Sequence, residues 1–149
     1  MLNQWDFQLI QAKYHKEIVD KLIKDFKDYE EKRFLIGILN ELALSVSHLI
    51  NSFLIYAMIN NNYILSKKSD LRLKDFKNKI GRNYLSLNLI MDLLKIIEFK
   101  KMQKNSPIQF FKKDKLVFLS RGIYITLSFE VLFKLNESLG LSIKNFPKD

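Results

Sequence analysis

Cysteine is absent from the sequence, and glycine and histidine are scarce, with four and two copies in 149 residues. The absence of cysteine excludes disulfide bonds, thiolate metal ligands and a cysteine nucleophile. The glycines lie too far apart to form a glycine-rich phosphate loop, and neither His15 nor His48 has the spacing of a metal site. We therefore expect no metal ion, no cofactor and no enzymatic activity.

The first residues also lack the basic region and the small-residue cleavage site of a secretory signal. The longest apolar run, residues 34–59, is long enough to cross a bilayer. It carries Asn40, Glu41, His48 and Asn51 near its middle, however, and each of these side chains is costly in lipid. We expect a cytoplasmic protein that does not insert into a membrane.

The same apolar run has the periodicity of a core helix. Its apolar residues recur at steps of three and four, as in Leu35, Ile38, Leu42 and Val46. On a helix these positions form one face, which packs against other elements. The pattern predicts that this helix is the centre of the fold.

A thinner polar stripe follows the same helix. Glu41, Ser45, His48 and Ser52 recur at steps of four, three and four. We interpret them as a hydrogen-bonded polar seam, either between helices or between the two chains of a dimer. A small acid–base site that includes His48 is the alternative. His15 lies outside this stripe, and we expect it on the surface.

Helical patterns flank this central segment. Residues 2–31 predict a first helix with an inner side that includes Phe26 and Tyr29. We place a bend or short break at residues 28–33, with one continuous helix through to the central segment as the alternative. A further helix is predicted from Ser69 or Asp70 to about residue 80.

The last helices have recognisable caps. Asn83 is the expected N-cap of a helix over about residues 84–103. Ser128 is the expected N-cap of a final helix over residues 129–139, with Gly140 as its C-terminal stop.

Between those two helices the pattern changes to that of strands. Residues 115–120 and 123–128 are rich in β-branched and aromatic side chains around Arg121 and Gly122, which predicts a hairpin. We therefore expect a mainly α fold in a single domain. An antiparallel helical bundle over about residues 1–104 would be followed by a short C-terminal β-hairpin and a final helix over about residues 107–140.

The net charge of +9 is unevenly distributed. Residues 67–104 hold eleven basic and four acidic residues, whereas residues 1–31 hold five and seven. Such clustering favours a polyanionic partner such as RNA or DNA, although charge used only for solubility is the simpler alternative.

Two basic groups are the candidate RNA-binding residues, because lysine and arginine side chains neutralise phosphates. The first comprises Lys67, Lys68, Arg72, Lys74, Lys77, Lys79 and Arg82. The second, which leads into and caps the predicted hairpin, comprises Lys112, Lys113, Lys115 and Arg121. We expect the adjacent Phe110 and Phe111 to seal the core.

The order of these parts resembles a group of archaeal helical proteins related to the HEPN superfamily. In that group a four-helix bundle is followed by a pattern like S-P-x-x-F-x-[KR]-K-D-K-x-V, a short hairpin and a helix opened by Ser/Thr-x-Glu. The matching residues are Ser106, Pro107, Phe110, Lys113, Asp114, Lys115, Val117, Ser128 and Glu130.

The resemblance implies a dimer formed through helices. It also implies that catalytic members cut RNA with an Arg-x4–6-His motif, which this chain lacks, because no arginine has a histidine at that distance. We therefore expect a basic, non-catalytic homodimer that binds RNA and associates with the ribosome, as dormancy factors do. The alternatives are a helical interaction module, such as a toxin–antitoxin partner, and a degenerate HEPN ribonuclease that uses His48.

Overall fold

The computed structural model describes residues 3–147, and within them the protein is mainly helical. The helices are α1 (Gln4–Tyr29), α2 (Phe34–Asn60), α3 (Ser69–Asp75), α4 (Leu87–Asn105) and α5 (Phe129–Lys144). A π-helical turn (Phe76–Ile80) and a 3-10 turn (Gly81–Asn83) connect α3 to α4. The strands are β1 (Gln109–Lys112), β2 (Lys115–Ser120) and β3 (Ile123–Ser128). The predicted fold class is confirmed.

The helix α2 is the centre of the packing. Its residues Leu42, Val46, Leu49 and Phe53 are fully buried, as the apolar periodicity predicts. Among the described residues, α2 is the one helix long and apolar enough to cross a membrane, and half of its most apolar stretch is buried inside the protein.

The first two helices form an antiparallel hairpin with a short break between them. The left-handed backbone of Glu30, with φ of 51°, ends α1, and α2 begins at Phe34. The predicted break is therefore confirmed. The placement of Tyr29 on the inner side is wrong, because the chain turns away at the next residue and leaves this ring 74% exposed.

Two more helices complete an antiparallel bundle. Near the start of α2, Asn40 accepts a hydrogen bond from Lys100 in the last part of α4, so α4 runs opposite to α2. At the two ends of α1, Phe129 stacks on Phe26 and Phe146 stacks on Trp5. The helix α5 therefore runs opposite to α1.

The strands form a three-stranded antiparallel sheet in the order β1-β2-β3. The hairpin of β2 and β3 has the predicted bounds. The strand β1 was not predicted, because it is a four-residue edge strand whose ordering depends on pairing with β2. Leu116, Phe118 and Leu127 are buried on the inner face, which packs against the helices.

Two predicted helix ends are wrong. The helix α4 begins at Leu87 with Ser86 as its N-cap instead of Asn83, because the π and 3-10 turns extend the preceding helix through residue 83. The helix α5 continues through Gly140 to Lys144. A Cβ atom at Gly140 would lie 3.3 Å from Cε of Lys16, so this glycine permits close packing of α5 on α1.

Candidate nucleic-acid interface

The basic segment, defined as residues 67–82, is attached to the bundle by two apolar side chains. Phe76 is fully buried and its ring lies 5.8 Å from the ring of Phe53, while Ile80 is 4% exposed. Lys77 and Lys79 lie between these anchors and Lys74 lies just before them, and all three side chains are exposed. The segment therefore presents its cations from a fixed position on the bundle.

The positive charge of this segment has no carboxylate partner. Among residues 3–147, none of its seven Lys and Arg side chains forms an ion pair. It contains two acidic residues, Asp70 and Asp75, and the carboxylate of Asp75 accepts a hydrogen bond from the hydroxyl of Tyr63. Burial, and then this bond, raises the pKa of Tyr63 to about 12. The seven cations therefore remain available to an external anion.

The second predicted basic group is divided between the two ends of the sheet. Lys112, Lys113 and Lys115 lie at the β1–β2 turn, and Lys113 lines a cavity with Glu30 and Lys32 beside the α1–α2 connection. Arg121 lies in the β2–β3 turn, six residues beyond Lys115, which corresponds to about 20 Å along a strand. Lys112, Lys113 and Lys115 therefore lead into the β2–β3 hairpin and Arg121 lies in its turn, so the four residues do not form one cluster.

A groove connects Arg121 with the basic segment. Arg121 lines a cavity of about 430 Å³ together with Glu98 and Lys101 of α4. Glu98 and Lys101 also line the adjacent cavity of about 550 Å³, as do Asp70 and Arg72 of the basic segment. Lys101 thus joins Arg72 and Arg121 on one surface. The sequence does not mark Lys101 as a site residue, because a lysine near a helix C-terminus is already explained by the helix dipole.

Two serines of the polar seam lie between α1 and α2 of one chain. The hydroxyl of Ser45 donates to the carbonyl oxygen of Ala12, and that of Ser52 donates to the carbonyl oxygen of Trp5, both at 2.7 Å. Both serines are fully buried. A contact between two chains would therefore need other residues.

The two histidines lie together beside the serines. Nδ1 of His15 lies 2.5 Å from Oε2 of Glu41, and Nδ1 of His48 lies 2.7 Å from Oε1 of Gln8. The imidazole rings stack in parallel with centroids 5.5 Å apart. The prediction that His15 lies on the surface is wrong, because Glu41 on the facing helix holds it and leaves 16% of its side chain exposed.

The local environment opposes a positive charge on His48. Burial, and then the neighbouring His15, lowers the pKa of His48 below its ordinary value of 6.5. No group of three or more His, Asp or Glu side chains in the described part of the chain is arranged to hold a metal ion. The group comprises two stacked imidazoles, one carboxylate and one amide.

This arrangement predicts a pH-dependent stability. The folded protein binds a proton at His48 less tightly than the unfolded chain does, so stability decreases as the pH falls below about 6.5. We expect the melting temperature of His48→Gln, which can still bond to Gln8, to decrease less than that of the parent between about pH 8 and about pH 5. Equal decreases would show that protonation of His48 does not destabilise the seam.

Comparison of the chain with models of known protein families, with curated proteins and with solved structures finds no match. The resemblance to HEPN-like proteins therefore remains a prediction.

Proposed function

We propose that the protein is a non-catalytic, cytoplasmic RNA-binding protein whose partner is structured RNA, with ribosomal RNA as the expected target. The observation that carries this proposal is the basic segment, in which seven cationic side chains within sixteen residues have no ion-pair partner among the described residues. Phe76 and Ile80 hold this charge on one side of the bundle.

The physical basis of the proposed binding is the release of counterions from the phosphate backbone. Each Lys or Arg that neutralises a phosphate displaces condensed cations, so affinity depends on salt concentration more than on sequence. The groove through Lys101 extends the proposed interface from Arg72 to Arg121. Folded RNA presents phosphates over a surface broad enough to contact both ends of this groove.

A charge reversal tests this proposal. We expect Lys74→Glu/Lys77→Glu to fold normally, because both side chains are exposed, and to bind structured RNA at least about tenfold more weakly. Its slope of log affinity against log salt concentration should be smaller in magnitude by about 1.4 to 1.8 than that of the parent. The loss should be similar for RNAs of different sequence, and filter binding at several salt concentrations measures all three effects.

A matched control has the same change in net charge within residues 1–31, where acidic residues outnumber basic ones. Lys21 and Lys24 are exposed on α1 and, among the described residues, form no ion pair. Lys21→Glu/Lys24→Glu should bind RNA almost as tightly as the parent. If both double variants lose the same affinity, the interface is not localised. If neither loses affinity, RNA binding by this segment is excluded and a protein-interaction module becomes the better proposal.

The proposal includes a homodimer. Phe7, Ile10 and Tyr14 follow each other at steps of three and four on α1, and each is about half exposed. Apolar stripes of this kind commonly mark contacts between proteins. We expect light scattering at micromolar concentration to give twice the mass of the chain, and Phe7→Glu/Tyr14→Glu to give a monomer. A parent protein that is itself monomeric would remove this part of the proposal.

The two histidines support a second candidate function, that of a ribonuclease whose catalytic site would be this histidine group. Two imidazoles and the Glu41 carboxylate lie within one partly exposed network, and such groups can transfer protons. If purified protein cleaves RNA and His48→Ala abolishes the cleavage while the fold is retained, this candidate replaces the non-catalytic proposal.

A further inference from the structure

The outer face of the sheet presents two exposed aromatic rings. The register pairs Phe110 with Val117 and Tyr124 with Leu119, so these four side chains lie on the same face. This face is opposite to the one that buries Leu116. Phe110 and Tyr124 are 44% and 56% exposed.

The two rings form one platform across the middle strand. Their centroids lie 6.1 Å apart with the ring planes at 69°. Val117 between them is 6% exposed, so the rings and neighbouring strands cover it. This packing accounts for one side of each ring, while about half of the surface of each remains in contact with solvent.

Two lysines stand at one end of the same face. The register places Lys112 directly opposite Lys115, and like charges at this position repel each other. Among residues 3–147 neither lysine forms an ion pair, and the three strands contain no Asp or Glu. An anion bound between the two ammonium groups would relieve the repulsion.

We propose that the outer face of the sheet binds single-stranded RNA, with bases stacked on Phe110 and Tyr124 and phosphates bound by Lys112 and Lys115. Unpaired bases present flat apolar faces that stack on aromatic side chains, whereas the bases of a duplex do not. The lysines at one end of this face and the aromatic rings beyond them offer separate contacts for the phosphates and the bases of a single strand. This inference rests on the proposed function in assuming that the ligand is RNA, but it assigns a second surface and a different structural class of RNA.

A fluorescent base distinguishes stacking from simple electrostatic attraction. We expect the protein to bind an unstructured RNA of about eight nucleotides that carries 2-aminopurine, and to quench its fluorescence as the base stacks on a ring. Phe110→Ala/Tyr124→Ala should abolish the quenching and weaken binding at least about tenfold, with an unchanged salt slope. Lys112→Ala/Lys115→Ala should reduce the salt slope by about 1.4.

Two controls separate the loss of the rings from damage to the sheet. Tyr124→Phe retains the ring and should retain the quenching. Ile123→Ala removes an apolar side chain that is 64% exposed on the same hairpin and should have little effect. Quenching that persists in Phe110→Ala/Tyr124→Ala, or that Ile123→Ala removes equally, overturns the proposal.

Measuring both kinds of RNA tells the failure of this inference apart from the failure of the proposed function. A protein that binds structured RNA through Lys74 and Lys77 but neither binds nor quenches the single-stranded probe would retain the proposed function and refute the platform. A protein that binds neither RNA would refute both, and the exposed rings would then be assigned to a protein partner.

Discussion

Replacing Leu42 by aspartate is expected to leave the protein unfolded or aggregated. Leu42 is fully buried in the first half of α2, the central helix of the bundle. An unpaired carboxylate at this position costs several kcal/mol, which is comparable with the whole stability of a domain of about 5–15 kcal/mol. Circular dichroism and size-exclusion chromatography of the purified variant measure the loss of helix and of the compact state.

The control for this variant is Leu44→Asp, which introduces the same charge on the same helix. Leu44 is 44% exposed, so its aspartate remains hydrated and should change the melting temperature only slightly. A soluble Leu42→Asp variant with the melting temperature of the parent would show that α2 is not buried as described.

Truncating Phe76 is expected to have the second largest effect. This side chain is fully buried against Phe53, and removing such a ring costs about 3–5 kcal/mol. Because Phe76 anchors the basic segment, this segment should lose its ordered structure before the rest of the protein does. We expect Phe76→Ala to become sensitive to trypsin at Lys77 and Lys79 and to bind structured RNA more weakly, although no charge has been changed.

Leu71→Ala is the matched control, because this side chain is 45% exposed on α3 of the same segment. It should retain the parent's protease resistance and RNA affinity. If Phe76→Ala is as stable and as resistant to trypsin as the parent, the basic segment is not fixed by this anchor.

The parts of the fold that the sequence predicted are those with strong local signals. The stripe through Leu42 and Val46 identified α2, and Arg121-Gly122 between two apolar runs identified the β2–β3 hairpin. Gly140 has an equally strong local signal, yet it lies inside α5. There the side chain of Lys16 from α1 lies against the glycine, and no local pattern reveals a partner so distant in the chain.

The candidate site was predicted only in part for the same reason. The basic segment is contiguous, so its charge is visible in the sequence, whereas Lys101 joins it only because α3 and α4 line the same cavity over α2. Phe110 was expected to seal the core. Its exposure follows from the register of β1, a strand that the sequence did not indicate, which places it on the outer face opposite Val117.

The most direct test of the central claim is the salt dependence of RNA binding by the unchanged protein. We expect purified ribosomal RNA to bind, with a log affinity that falls linearly with log salt concentration. The slope should be about −4 or steeper, which corresponds to roughly five or more neutralised phosphates. Affinity that does not change between low and high salt, or no binding at low salt, would contradict the claim that the basic segment binds RNA.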